Sequence, residues 1–218
     1  MPRVPDVYFY KLRYDTGAAP CEHDGLLTLA ICKPMIRTYA QLGDFIFGFA
    51  ATWMREPRQK TDNHLIYIAR VDERIRGRDY YGARRFCARG DCVYELVEED
   101  FVWRAGSRYH GPDDLIRDLG RPPAYRRAVV LASRDYRNYR GDGTSDYKSQ
   151  FPAIKNAVEH LTQGHRVHHD EALRRQLMEL KEAAWLSPLG RPGTQTNGPA
   201  SAGSCRRRVG GSAGCSGS

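Results

Sequence analysis

No stretch of this chain approaches the roughly 20 consecutive apolar residues that a membrane-spanning helix needs. The opening segment Met1–Tyr10 has no long apolar run after its basic residue, so no secretory leader is expected there. Cysteine is sparse. The six thiols, Cys21, Cys32, Cys87, Cys92, Cys205 and Cys215, lack the dense spacing of a disulfide framework. A reducing cytoplasm and free thiols are the expectation. Metal ligands are too scattered as well. Cys87 and Cys92 could form one pair, and His165, His168 and His169 cluster elsewhere, but no second pair at tight spacing completes a zinc site. Cys21-Glu22-His23 with Cys32 is no better, so no metal is expected. The phosphate-binding loop, the dinucleotide fingerprint and the G-x-S-x-G elbow are all missing. Nothing calls for a cofactor, and there is no internal repeat.

What is present describes a folded body and a tail. Aromatic residues make up 11% and charged residues 28% of the 218, a globular composition. A body of this size can remove roughly 70% of its unfolded surface from water. The formal net charge is +8. Half of that excess lies in Ser187–Ser218, which carries Arg191, Arg206, Arg207 and Arg208 and no acid. The body is therefore only mildly basic, which permits a polyanionic partner without demanding one. The Gly, Ser and Pro content of Ser187–Ser218 predicts disorder. One domain over 1–186 and a tail over 187–218 follow.

Periodicity gives the elements. Val7–Tyr14, Leu26–Cys32, Phe45–Ala50, Leu65–Val71 and Ala128–Ser133 read as strands, and Val93–Trp103 as two short ones around the acidic turn Glu98-Glu99-Asp100. Lys33–Leu42 reads as a short helix with Pro34 in its first turn, and Gly43-Asp44 ends it. Phe151–Thr162 and Asp170–Trp185 have helical spacing, with Asp170 able to cap the second. Pro112–Leu119 is a turn or two of helix, and Arg74–Arg89 is irregular or briefly helical. Asp15–Gly25, Thr52–His64 and Arg134–Gly143 read as loops. The sum is an α+β fold: a curved, mainly antiparallel sheet or small barrel with flanking helices, the Pro34 helix at its rim.

Several residues carry chemistry. Lys33 and Arg37 lie one turn apart on a helix face, where they either seat a phosphate or base edge or simply solvate the surface. Asp44 either orients one of them or closes its own turn. Arg134, Tyr136, Arg137, Tyr139 and Arg140 interleave guanidinium forks with rings that can stack on bases. The bland alternative is a loop whose arginines cover its own tyrosines. Cys32 is the best nucleophile on offer, a thiol beside a lysine at a helix start, although it also closes an apolar strand and reads as core.

The succession DTGAAP (Asp15–Pro20), LTLAICKPMIR (Leu27–Arg37) and LGDFIFG (Leu42–Gly48) resembles the second nucleotide modification associated domain family. LIYIARV (Leu65–Val71), RGDCVYEL (Arg89–Leu96) and VVLASRDY (Val129–Tyr136) extend the likeness, which spans roughly Val7–Arg166. One departure is Cys21, where the family usually has a polar amide residue. The resemblance implies a setting in phage and bacterial systems that make or handle modified DNA bases, without an assigned reaction. The layout is also similar to barrels of the PUA, ASCH and EVE type, which receive a nucleobase beside such a helix. The expected function is recognition of a nucleotide or modified base, with DNA favoured, through Lys33, Arg37, Asp44, Arg134, Tyr136, Arg137 and Tyr139. The alternatives are an enzyme of base modification centred on Asp15, Cys32 or Asp44, and a conflict-system protein that binds another protein through its C-terminal helices.

Overall fold

A computed structural model describes residues 3–56, 58–140, 143–162 and 164–187. Along the chain the strands are β1 (Val7–Leu12), β2 (Cys21–His23), β3 (Leu26–Leu29), β4 (Phe45–Ala50), β5 (Trp53–Arg55), β6 (Arg58–Lys60), β7 (Leu65–Arg70), β8 (Glu73–Arg76), β9 (Tyr94–Val97), β10 (Asp100–Trp103), β11 (Val129–Ser133), β12 (Tyr136–Asn138) and β13 (His165–Arg166). The helices are α1 (Pro34–Tyr39), α2 (Gly77–Tyr81), α3 (Leu115–Leu119), α4 (Tyr147–Gln150), α5 (Pro152–His160) and α6 (Glu171–Leu186).

All six residues of β4 are buried. A strand achieves that only where both faces of its sheet are covered. β4 occupies the centre of a five-stranded sheet of order β12-β7-β4-β1-β13. It runs parallel to β1, with Val7 opposite Phe45 and Leu12 opposite Ala50, while the other neighbours are antiparallel. A parallel pair needs a crossover. Here β2, β3 and α1 supply it, and β2 and β3 join a second sheet of order β2-β3-β11-β8, antiparallel throughout.

Side-chain alternation sorts these strands into layers. Val7, Phe9, Phe45, Phe47 and Phe49 face α4, α5 and α6, where Ile154, Leu173, Leu177 and Leu180 cover them. Tyr8, Tyr10, Leu12 and Ile46 face the opposite way, onto Leu27, Leu29 and Leu131 of the second sheet. The far side of that sheet, with Ala30, Ile75 and Val130, packs on Tyr80 and Tyr81 of α2 and on Tyr94 and Phe101 of the β9–β10 hairpin. The order is helices, sheet, sheet, and a mixed outer layer. Asp170 caps α6 as expected, accepting from the Leu173 amide at 2.8 Å.

The fold corrects three expectations. The strands from Val7, Leu26, Phe45, Leu65 and Ala128 do not share one sheet but divide between two. Neither closes into a barrel among the described residues. Asp15–Gly25, Thr52–His64 and Arg134–Gly143 are not plain loops, since they hold β2, the β5–β6 hairpin and β12. The expected tail, beyond Ser187, lies outside the described residues.

Candidate active site

The residues expected to bind a nucleotide are mostly committed elsewhere. Arg37 is fully buried. Its guanidinium donates to the carbonyls of Cys32 (2.8 Å), Arg127 (2.9 Å), Val129 (2.7 Å) and Asp118 (2.7 Å). No donor face is left for a phosphate. Asp44 is also fully buried. It accepts from the amides of Asp6 and Gln41, both at 2.7 Å, and from the Arg3 guanidinium. It therefore closes the turn into β4 and orients neither Lys33 nor Arg37.

The Arg134–Arg140 segment is corrected in the same way. Tyr136 is 1% exposed in the core between the sheets, and Tyr139 packs against the helix-covered core. Arg137 lies over the Trp185 ring at 4.7 Å and donates to the Tyr136 carbonyl at 2.9 Å. Arg134 alone of the four stands exposed. Tyr136 on β12 and Tyr139 just beyond it both turn inward, so neither ring is offered to bases.

The structure instead assembles a relay around Cys32. The Cys32 sulfur lies 3.2 Å from His110 Nε2. His110 Nδ1 lies 2.5 Å from Asp118 Oδ2. That oxygen also accepts from the Tyr94 hydroxyl at 2.9 Å, while Asp118 Oδ1 has no hydrogen-bond partner. The imidazole is fixed from behind as well, because Trp103 Nε1 donates to the His110 carbonyl at 3.0 Å. Each ring nitrogen serves a different neighbour, so the three groups form a line and not a metal cage. Among the described residues no three His, Cys, Asp or Glu side chains gather as metal ligands.

Local backbone supports the arrangement. Cys32 (φ 58°), Lys33 (φ 39°) and His110 (φ 53°) all occupy the left-handed region without being glycine. Each costs of order 1–3 kcal/mol, and such residues concentrate where the surrounding structure over-determines a functional geometry. Part of that over-determination is Arg37. It holds the Cys32 carbonyl with Nε and the Asp118 carbonyl with Nη2, so it ties the sulfur's turn to the carboxylate's helix.

Electrostatics follow from the same contacts. Burial opposes charge on His110, but the bond to Asp118 and the neighbouring Cys32 override it and push the imidazolium up to about 10. Burial alone would raise Asp118, yet His110 and the Arg37 charge bring it below the usual carboxylate range. Lys33 stands beside the sulfur, its ammonium 4.5 Å over the Tyr10 ring and 3.3 Å from the Gly164 carbonyl. Burial lowers its pKa, and Cys32 works against that. The DTGAAP loop is drawn in too, because the Tyr109 hydroxyl donates to the Thr16 carbonyl at 2.9 Å. In that loop Asp15 keeps one buried oxygen without a partner. Burial raises its carboxyl, opposed by Arg140.

The nucleotide modification associated domain 2 family model matches residues 4–198. This chain belongs to that family. The matched span contains Cys32, His110 and Asp118 and the loop around Asp15. No curated protein and no solved structure matches the chain. No helix among its described residues is long and apolar enough to cross a membrane.

The sequence offers Cys32 as a candidate nucleophile that also reads as core, and the structure leaves it half-buried beside His110. His110 and Asp118 were not legible in it. His110 lies 78 residues from Cys32, in a loop with no motif, and thiol–imidazole partners are adjacent in space and not in sequence.

Proposed function

We propose that this protein is a thiol-dependent enzyme of nucleotide modification, transferring or cleaving an acyl group carried by a nucleotide. The carrying observation is the continuous line from the Cys32 sulfur through His110 to the buried Asp118. A nucleophile, a base within hydrogen-bond reach and a third group that orients the base is the arrangement that activates a weak nucleophile. His110, held as an imidazolium at neutral pH, keeps the proton that the Cys32 thiol gives up. The sulfur attacks the acyl carbon and forms a thioester. The imidazolium gives its proton to the leaving amine or alcohol. Water or a second nucleophile, deprotonated by the same imidazole, then releases the acyl group and restores the thiol. Asp118 orients the ring and stabilises the imidazolium, which is neutral only between the two half-reactions. The family's name supplies the nucleotide. Recognition without chemistry is the weaker reading, because Arg37, Asp44 and Tyr136 are enclosed.

The test uses an electrophile delivered by a nucleotide. A thymidine monophosphate bearing a chloroacetamide should alkylate Cys32 at least about ten times faster than any of the other five cysteines. Replacing His110 by Ala should remove that preference. Adducts spread evenly over the six thiols, or unaffected by His110→Ala, would contradict the proposal.

A further inference from the structure

A groove of about 750 Å³ runs beside the β5–β6 hairpin, and neither the family match nor the thiol relay accounts for it. Its walls carry Lys11, Arg13, Arg55 and Arg58, against one carboxylate, Glu159. Among the described residues neither Arg13 nor Arg58 is ion-paired, and Arg55 spends one nitrogen on the Tyr14 hydroxyl at 3.2 Å. Trp53 lines the same groove with 61% of its surface exposed. Exposing a tryptophan among unpaired arginines is unfavourable for a protein that binds nothing there. Apolar surface stays in water, and like charges face each other across the groove.

The groove borders the chain that anchors Lys33. Thr162 lines it, and just beyond in the chain the Gly164 carbonyl holds the Lys33 ammonium. Arg13 lies close enough for its charge to act on Lys33, the residue that follows Cys32.

We infer that this groove is a track for single-stranded nucleic acid, with Lys11, Arg13, Arg55 and Arg58 on the phosphates and Trp53 stacked on a base. Cations that follow a backbone, interrupted by an exposed ring, are the means by which strands with unstacked bases are held without sequence readout. A duplex hides its base faces and would leave Trp53 without a partner. The inference rests on the thiol-enzyme reading only for the chemistry done on the bound strand. It makes the substrate a residue within a polynucleotide and not a free nucleotide.

The experiment is a salt titration of the full-length protein against single-stranded oligonucleotides of about 12 nucleotides. Each backbone contact contributes a log–log slope of about −0.7. The double substitution Arg55→Ala, Arg58→Ala should shallow the slope by about 1.4 relative to wild type. The tail arginines are common to both proteins and cancel in the difference. Trp53→Ala should weaken binding about tenfold with no change of slope, and Trp53→Phe should recover most of it. Iodoacetamide alkylation of Cys32 should be unaltered in all three, which separates failure of the track from failure of the thiol chemistry. Slopes and affinities indifferent to these substitutions would overturn the inference. So would tighter binding of duplex than of single strands, or no binding of any single strand at about 50 mM salt, because the phosphate contribution does not depend on base identity.

Discussion

Arg37 shows how far a residue's role can lie from its position in a pattern. Four residues on from Lys33, it reads as a surface cation ready for an anion. The structure buries it completely and gives it four carbonyls, three of them on residues 118, 127 and 129. Those acceptors come from a segment about ninety residues away, which no local reading supplies. The consequence is testable. Arg37→Met should cost about 3 kcal/mol or more, because several buried carbonyls lose their donors at once. Arg37→Lys should recover little, since an ammonium cannot reproduce the planar fork. Urea denaturation measures both, and a lysine variant within about 0.5 kcal/mol of wild type would show that the fork is not what matters. Because Arg37 grips the Cys32 and Asp118 carbonyls, both variants should also slow alkylation of Cys32. The tyrosines of the Arg134–Arg140 segment miscarried for a related reason. Arg-Tyr alternation is compatible with a strand as well as with a stacking loop, and only pairing of β12 with β7 decides which face the rings take.

At the scale of elements, the central sheet was legible and its partition was not. The continuous apolar run of β4 announces a strand covered on both faces, and the structure agrees. The division into two sheets depends on the β1–β4 pairing, a parallel and nonlocal contact that leaves no mark in the sequence of either strand. Gly48 does leave one. It interrupts the apolar run where the register between β4 and β7 shifts. A Cβ built there would sit 2.1 Å from Cε1 of Tyr67. That ring is 1% exposed, and its hydroxyl is bonded to the Tyr10 hydroxyl at 2.9 Å. Gly48→Ala should therefore destabilise the fold by about 1–3 kcal/mol through overpacking. A thermal midpoint unchanged within about 1 °C would mean that the Tyr67 ring can move aside at no cost.

At the scale of the whole molecule, the relay couples chemistry to stability. His110 is raised above its ordinary value of about 6.5. A group with a raised folded pKa stabilises fully below its unfolded value and loses that contribution as pH rises through its folded value. Wild type should therefore lose stability between about pH 6.5 and pH 10, and His110→Gln should lose less over the same window. Parallel urea titrations of the two proteins across that range would expose the difference, and superimposable profiles would refute it. The central claim is nearer to hand. It is that His110 and Asp118 activate Cys32, and competitive iodoacetamide labelling at neutral pH with peptide mapping tests it most directly. Cys21 and Cys92 provide internal references, because burial pushes both thiols up to about 12. Wild-type Cys32 should label fastest of the folded-body cysteines, with its rate falling about tenfold or more in both His110→Ala and Asp118→Asn. A Cys32 rate unchanged in both variants would contradict the account.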